Sequence, residues 1–339
     1  MKDHLSGQFK SFAFKECKGS SRLYEILSQF TADDEQLLGI ASHAGEGQPV
    51  PNLFFGAVQY LLLNGARHPL TDYYGSVADT PKESLQAFPV FKDFCLQHRD
   101  ELIFILQHKR VQTNEVGRCA YLYPCFCRIF RIAGRPLSLI EIGTSAGLQL
   151  LWDQYAYSYD SGEVYGNPRS ELRLNTELRG ERRPFLLQES PPIASRVGVD
   201  LHVNDVNRPD DALWLQALIW PEHADRRLRF RKAAEIVKSK PPMLIEGDGV
   251  TLLTRLVNKT PKHSVICIFH THVANQMPAA VRDELLERVR AVGQSRDVFH
   301  LYNNIGDSDL HLDYYLDGEE HSETLAAAEG HGRWFEWKQ

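Results

Sequence analysis

The chain has 339 residues, 43% of them hydrophobic and 24% charged, and 38 basic against 44 acidic side chains leave a net charge of -6. That size and composition fit one large domain or two ordinary ones with a real core, and the acidic balance argues against coating nucleic acid through bulk charge. No run approaches the roughly 20 apolar residues of a membrane helix, so no membrane partner is expected.

The opening MKDHLSGQFKSF has neither an apolar core nor a small-residue cleavage site. No secretory signal is expected, and a cytoplasmic location is. Up to residue 134 the apolar spacing is helical, which predicts an all-helical domain over 1–134. PNLFFGAVQYLLLNG carries Pro51 in its first turn and stops at Gly65. Residues 83–107 form a second run with a break at Pro89, and 114–132 a third. Gly134-Arg135-Pro136 marks the join.

Beyond it, short apolar strands alternate with helices, as in a parallel sheet covered on both faces. Strands are predicted at 137–142, 199–204, 243–246, 264–270 and 297–303. Helices are predicted at 147–157, 211–219, 224–239, 250–258 and 278–292. Segments 311–318 and 323–337 read as two strands joined at Gly318, an antiparallel hairpin at the sheet edge. The six cysteines form no framework. Cys125 and Cys127 are one residue apart, not two, and sit in an apolar helical run, so buried reduced thiols are expected.

The richest segment is LIEIGTSAGLQLL, Leu139 to Leu151. A buried strand carrying Glu141 leads into a loop with Gly143, Ser145 and Gly147, and a helix follows. The glycines let backbone lie close to a ligand, and amides at a helix start can receive a polar or anionic group. A dinucleotide fold wants G-x-G-x-x-G, and a P-loop wants lysine where Leu148 stands. Packing alone is the plain alternative.

An acid at the strand tip followed by G-x-x-x-G resembles motif I of the Rossmann-like S-adenosylmethionine-dependent methyltransferases. The resemblance implies a mostly parallel α/β sheet of that type over 135–339, with S-adenosylmethionine as cofactor. It implies that Gly143 and Gly147 pass under the methionine moiety and that Glu141 holds its amino end. Asp205 matches the ribose-binding acid, although it stands 58 residues beyond Gly147, which requires an insertion at about 160–198. Gly247 and Asp248 match the adenine-binding corner. Either aspartate could instead cap a helix.

His270 and His272 follow the fourth strand, where substrates meet open α/β sheets. They are candidates for a general base toward the methyl acceptor, with Asn275 beside them. Structural hydrogen bonding and metal binding are the alternatives, and no third ligand is evident. Gln112 to Arg118 is polar for a helix entrance. Its residues either cap the helix or place Asn114, Glu115 and Arg118 over the site as a lid. Arg226 to Lys232 is a basic run that reads as a solvated helix face rather than an RNA-binding stripe. The Asn/Asp-Pro-Pro-aromatic signature of amide and nucleobase N-methylating enzymes is absent.

Over nearly its full length the chain also resembles an uncharacterised, mostly bacterial family, domain of unknown function 2332. The residues concerned are Pro51 to Leu61, QTNEVGR (112–118), EIGTSAGLQLL (141–151), Trp220-Pro221-Glu222 and His331-Gly332-Arg333-Trp334. The resemblance implies a helical-plus-Rossmann-like layout and no activity. A methyltransferase acting on an unidentified acceptor, a small molecule or one of unknown kind, is the first expectation. A non-catalytic nucleoside- or cofactor-binding protein, or an RNA-associated one, is the alternative.

Overall fold

The computed structural model describes residues 2–160 and 162–339. Met1 and Ser161, the latter inside the expected insertion, lie outside the described residues. The chain divides into two compact units, one of residues 1–113 with 207–228 and one of 114–206 with 229–339. This division differs from a join at 134.

The first unit is helical: α1 (Lys2–Phe12), α2 (Arg22–Thr31), α3 (Glu35–Ala41), α4 (Val50–Leu63), α5 (Ala87–Gln97) and α6 (Arg99–His108). Pro89 does not break the second apolar run. It sits in the first turn of α5, where no amide is needed, and the interruption falls at His98. Aromatic rings dominate the core, with Tyr24 stacked on Phe55 at 4.6 Å and Phe9 edge-on to Phe54 at 6.0 Å. Later in the chain, α8 (Pro209–Ala217) and Trp220-Pro221-Glu222 complete this core. The buried Gln59 of α4 donates to the carbonyls of Ala217 and Ile219, and Trp220 packs on Tyr24 and Phe12. Glu222 accepts from the Leu23 amide and the Ser21 hydroxyl at the start of α2.

The second unit holds α7 (Cys119–Ala133), a nine-stranded sheet and a separate three-stranded one formed by the second, third and fourth strands. In chain order the strands are β1 (Leu137–Ile142), β2 (Ala156–Ser158), β3 (Tyr165–Gly166), β4 (Arg173–Asn175), β5 (Glu177–Arg179) and β6 (Ile193–Asp200). They continue with β7 (Met243–Glu246), β8 (Val265–His270), β9 (Val298–Tyr302), β10 (Leu310–Leu316), β11 (Glu319–Ala328) and β12 (Trp334–Trp337). The sheet order is β5-β12-β11-β10-β9-β8-β1-β6-β7. From β7 to β9 all pairings are parallel, whereas β9 to β12 are antiparallel. The fold is therefore mixed α/β, with a helical N-terminal region and an antiparallel C-terminal strand group. Strands β1, β8 and β9 are wholly buried, which is why they read as mostly apolar runs and why their few polar residues, Ser138, Glu141, His270 and His300, are buried too.

On one face of the sheet, α10 (Gly249–Lys259) and α11 (Ala279–Gly293) cover Ile140, Ile142, Ile266 and Ile268. Elsewhere in the unit, Phe126 of α7 stacks on Trp152 at 4.3 Å and stands edge-on to Phe269 at 5.3 Å. Helix α9 (Ala224–Ser239) carries the basic run, which is not simply a solvated face. Arg227 is buried on the carbonyls of Gly75, Trp220 and Pro221, and Phe230 is buried too.

Three predicted elements differ. The helix expected at 147–157 is a six-residue 3-10 turn, Gln149–Gln154, kinked at Leu151 and followed by β2. The hydroxyls of Tyr155 and Tyr157 take the carbonyls of Leu148 and Trp152, and those two tyrosines alternate at strand period into the core. The strand expected at 199–204 runs instead over Ile193–Asp200. The expected insertion therefore contributes β3, β4 and β5, and its final residues already belong to β6. The tail forms three strands, not two, with the tight turn where it was expected: Asp317 and Gly318 have φ of 51° and 84°. All six cysteines are buried and unpaired. No helix among the described residues is long and apolar enough to cross a membrane.

Candidate functional site

Chain direction around the sheet locates the candidate site. From β1 the chain moves outward through β6 to β7, then returns to the other side of β1 as β8. The carboxyl ends of β1 and β8 thus flank the switch point at which open α/β sheets bind ligands.

The glycine loop leaves β1 at this point and is tightly closed. The Gly143 and Thr144 amides donate to Val199 O, the Ser145 amide to Asp200 Oδ2 at 2.8 Å, and the Gly147 amide to Thr144 O. Those amides are spent inside the protein, and the short turn after them is no regular helix start, contrary to expectation. A Cβ at Gly143 would lie 2.4 Å from Val273 Cγ2, and one at Gly147 would lie 2.9 Å from Pro242. Both glycines serve close packing here.

Three adjacent strands carry an acid at or next to their carboxyl ends: Glu141 on β1, Asp200 on β6 and Glu246 on β7. Glu141 is 4% exposed and accepts the Thr144 hydroxyl at 2.6 Å. Burial above all, with a contribution from the Asp200 charge, pushes its pKa up to about 8 against the pull of the Thr144 bond. A raised folded pKa stabilises at low pH, and that contribution is lost as pH rises from the unfolded value to about 8. Glu141→Gln should therefore gain on wild type by about 1 kcal/mol per pH unit over that window. Melting curves at pH 5 and 8 check this, and a pH-independent difference would refute it.

Asp205 is not the strand-tip acid. The strand ends five residues earlier, at Asp200, whose carboxylate receives the amides of Ser145 and His202. Gly247 bends the chain after β7, and Asp248 caps α10 by accepting from Val250 and Thr251 at 2.8 and 3.2 Å through Oδ1. Asp248 is exposed.

The two histidines part company. His270 is sealed in the core, 0% exposed, with Nε2 3.1 Å from Nε2 of the equally buried His300. Burial and the His300 charge hold its pKa well below the usual imidazole value, so it takes up no proton near neutrality. It is a core residue, not a base in contact with substrate. His272 leaves the end of β8 with φ at 56°, held by its amide on Asn303 Oδ1 at 2.8 Å. Asn275 is exposed on the following turn. No group of three metal-ligating side chains occurs among the described residues.

The polar entrance to α7 comes to the same place. Asn114 donates to Thr144 O at 2.8 Å, and its buried Oδ1 has no partner. Glu115 accepts the Gly117 amide as a cap. Arg118 donates to Gly330 O and to Thr271, Thr271 donates to Gln149, and Gln149 donates to Glu115 O. Thr144, Gln149, Asp200, Thr271, Asn303 and Glu329 also belong to this neighbourhood. Only Asp200 carried a readable signal, as the acid ending the apolar stretch of β6.

Residues 6–337 match the family described as an uncharacterized protein conserved in bacteria, DUF2332. No curated protein and no solved structure matches the chain. Two segments of the chain that resemble that family, QTNEVGR and HGRW, meet backbone to backbone at Gly117 and Gly332. With nearly its whole length matched, the chain belongs to the DUF2332 family.

Proposed function

We propose that the sheet-bearing unit binds S-adenosylmethionine and that the protein is a methyltransferase acting on a small-molecule acceptor. The observation that carries this reading is the parallel order β7-β6-β1-β8-β9 with an acid near the carboxyl end of each of its first three strands. That is the third-second-first-fourth-fifth order of doubly wound nucleotide-binding sheets.

The donor set fits the polar parts of such a cofactor. Asp200, at the carboxyl end of β6, supplies a carboxylate of the kind that ribose hydroxyls require. Asp248 spends only Oδ1 on its cap and leaves Oδ2 for an adenine amine. Glu141 and Ser145 border the methionine end. Bound there, S-adenosylmethionine would supply a methyl group already activated by its sulfonium. The chain's own part is then to orient the acceptor and exclude water. Binding without transfer is the second reading, favoured by the sealing of His270 away from any acceptor.

Calorimetric titration with S-adenosylmethionine tests both readings. Asp200→Asn and Asp248→Ala are expected to weaken binding tenfold or more, the loss of a hydrogen bond to a charged group. Asp205→Asn should leave it unchanged. Failure of wild type to saturate by about 1 mM, an affinity near −4 kcal/mol, sinks the cofactor reading altogether.

A further inference from the structure

Arg118 is a buried charge with no counter-ion in ion-pair contact among the described residues. Its side chain is 8% exposed and offers five N–H donors in a planar fork with no acceptor of its own. Nε donates to Gly330 O at 2.9 Å, and Nη1 to the carbonyl and hydroxyl oxygens of Thr271 at 3.2 and 3.4 Å. Nη2 makes no hydrogen bond, and Arg118 forms no ion pair among the described residues. Glu329, one residue before Gly330, is committed elsewhere: its oxygens take His331 and Arg333. Burying a lone charge is costly, so a missing anion is the economical explanation.

His272 approaches the same glycine. A Cβ on Gly330 would lie 3.5 Å from its Cε1 and 3.8 Å from its Nε2. Asn304 Nδ2 is 3.4 Å from the ring's Nδ1, so Nδ1 accepts and the neutral ring carries its proton on Nε2. Burial, then the Arg118 charge, keep the ring neutral, its pKa held down to about 3. The Arg118 guanidinium and the His272 ring thus both approach Gly330, and no acceptor among the described residues meets Nη2 of the one or Nε2 of the other.

We propose that Arg118 Nη2 and His272 Nε2 form a receptor for the carboxylate of a small organic acid. One full positive charge and one neutral donor match a singly charged carboxylate better than a phosphate dianion. The proposal stands without the methyltransferase reading. Two sources share the chemistry, the methionine carboxylate of the cofactor and an acid group on the acceptor.

The probes are acetate and succinate, followed by NMR on the His272 ring signal, which is identified by its loss in His272→Gln. Both acids should shift that signal saturably at constant ionic strength, and Arg118→Met should weaken them at least tenfold. Should Arg118→Met fail to fold, Gly330→Ala keeps the test alive. Its backbone is not left-handed and its methyl meets only ordinary contacts, yet it stands against the ring edge. It too should weaken both acids. Displacement of acetate by S-adenosylmethionine makes the cofactor the source, and simultaneous binding makes it the acceptor. Acetate binding without S-adenosylmethionine binding keeps the receptor and removes the cofactor. An equal response to chloride, tighter binding of phosphate than of either acid, or unchanged affinity in Gly330→Ala overturns the proposal.

Discussion

Gly332→Ala is expected to destabilise the sheet-bearing unit by about 3 kcal/mol or more, a loss of roughly 6–12 °C in melting temperature. A Cβ there would stand 2.1 Å from the carbonyl oxygen of Gly117 and 2.5 Å from its carbon, backbone atoms that no rotamer change can move. The residue also has φ at 74°, which charges any L side chain a further penalty of about 1 kcal/mol. Gly306→Ala separates the two effects. Its φ is 82° but nothing lies within 4 Å of the added carbon, so only the smaller penalty should appear. Equal melting temperatures for the two variants would mean that the chain relaxes at Gly332 without loss. The contact matters to the site because Arg118 follows Gly117 directly.

The second large effect is a loss of stability in acid that traces to His270 and His300. Their Nε2 atoms share one hydrogen bond at 3.1 Å, and both Nδ1 atoms are buried without partners. Two neutral rings satisfy that bond, one donating and one accepting, whereas an added proton would be a charge in the core. Burial holds His300 down to about 3 and His270 well below 6.5. Folded values below the unfolded one mean stability that is complete above pH 6.5 and lost as pH falls from there. At about 1.4 kcal/mol per group and pH unit, the pair should cost on the order of 3–4 kcal/mol between pH 7 and 5.

Replacing both by phenylalanine should remove that dependence and leave stability near pH 7 within about 2 kcal/mol of wild type. Tyr302, stacked on His270 and tilted against His300, would then pack on the two phenylalanine rings instead. Urea midpoints of both proteins at pH 5 and 7 decide the matter, because the opposite contribution of Glu141 is common to the two. Parallel behaviour would show that the pair titrates normally.

Hydrophobic pattern made the central strands readable and left the loop geometry hidden. Strands β1, β7, β8 and β9 are predominantly apolar segments between polar breaks, so their expected limits lie within a residue or two of the observed ones. Segment 147–157 failed because its apolar residues fit a helix as well as a turn plus strand; the Tyr155-Tyr157 alternation was the overlooked cue. Strand β6 was displaced because Arg196 and Ser195 interrupt its apolar pattern: Arg196 pairs with Asp153, and Ser195 bonds Ser138. With the strand expected at 199–204, Asp205 reads as the acid at its tip and Asp200 as an interior residue. The neighbourhood of Arg118 was legible only as an odd concentration of polar residues. Its partners Thr271 and Gly330 lie 153 and 212 residues further on, and no local pattern encodes such a meeting.

Strand β5 pairs in parallel with β12, joining Glu177 to Trp334. A loop of that length closes late, since its entropy must be met before the three-residue ladder returns anything. Until it does, β12 offers an open rim to any other extended chain. The insertion that supplies β5 thereby covers the rim of β12 and leaves only a three-residue strand at that edge of the sheet, too short to template much further pairing.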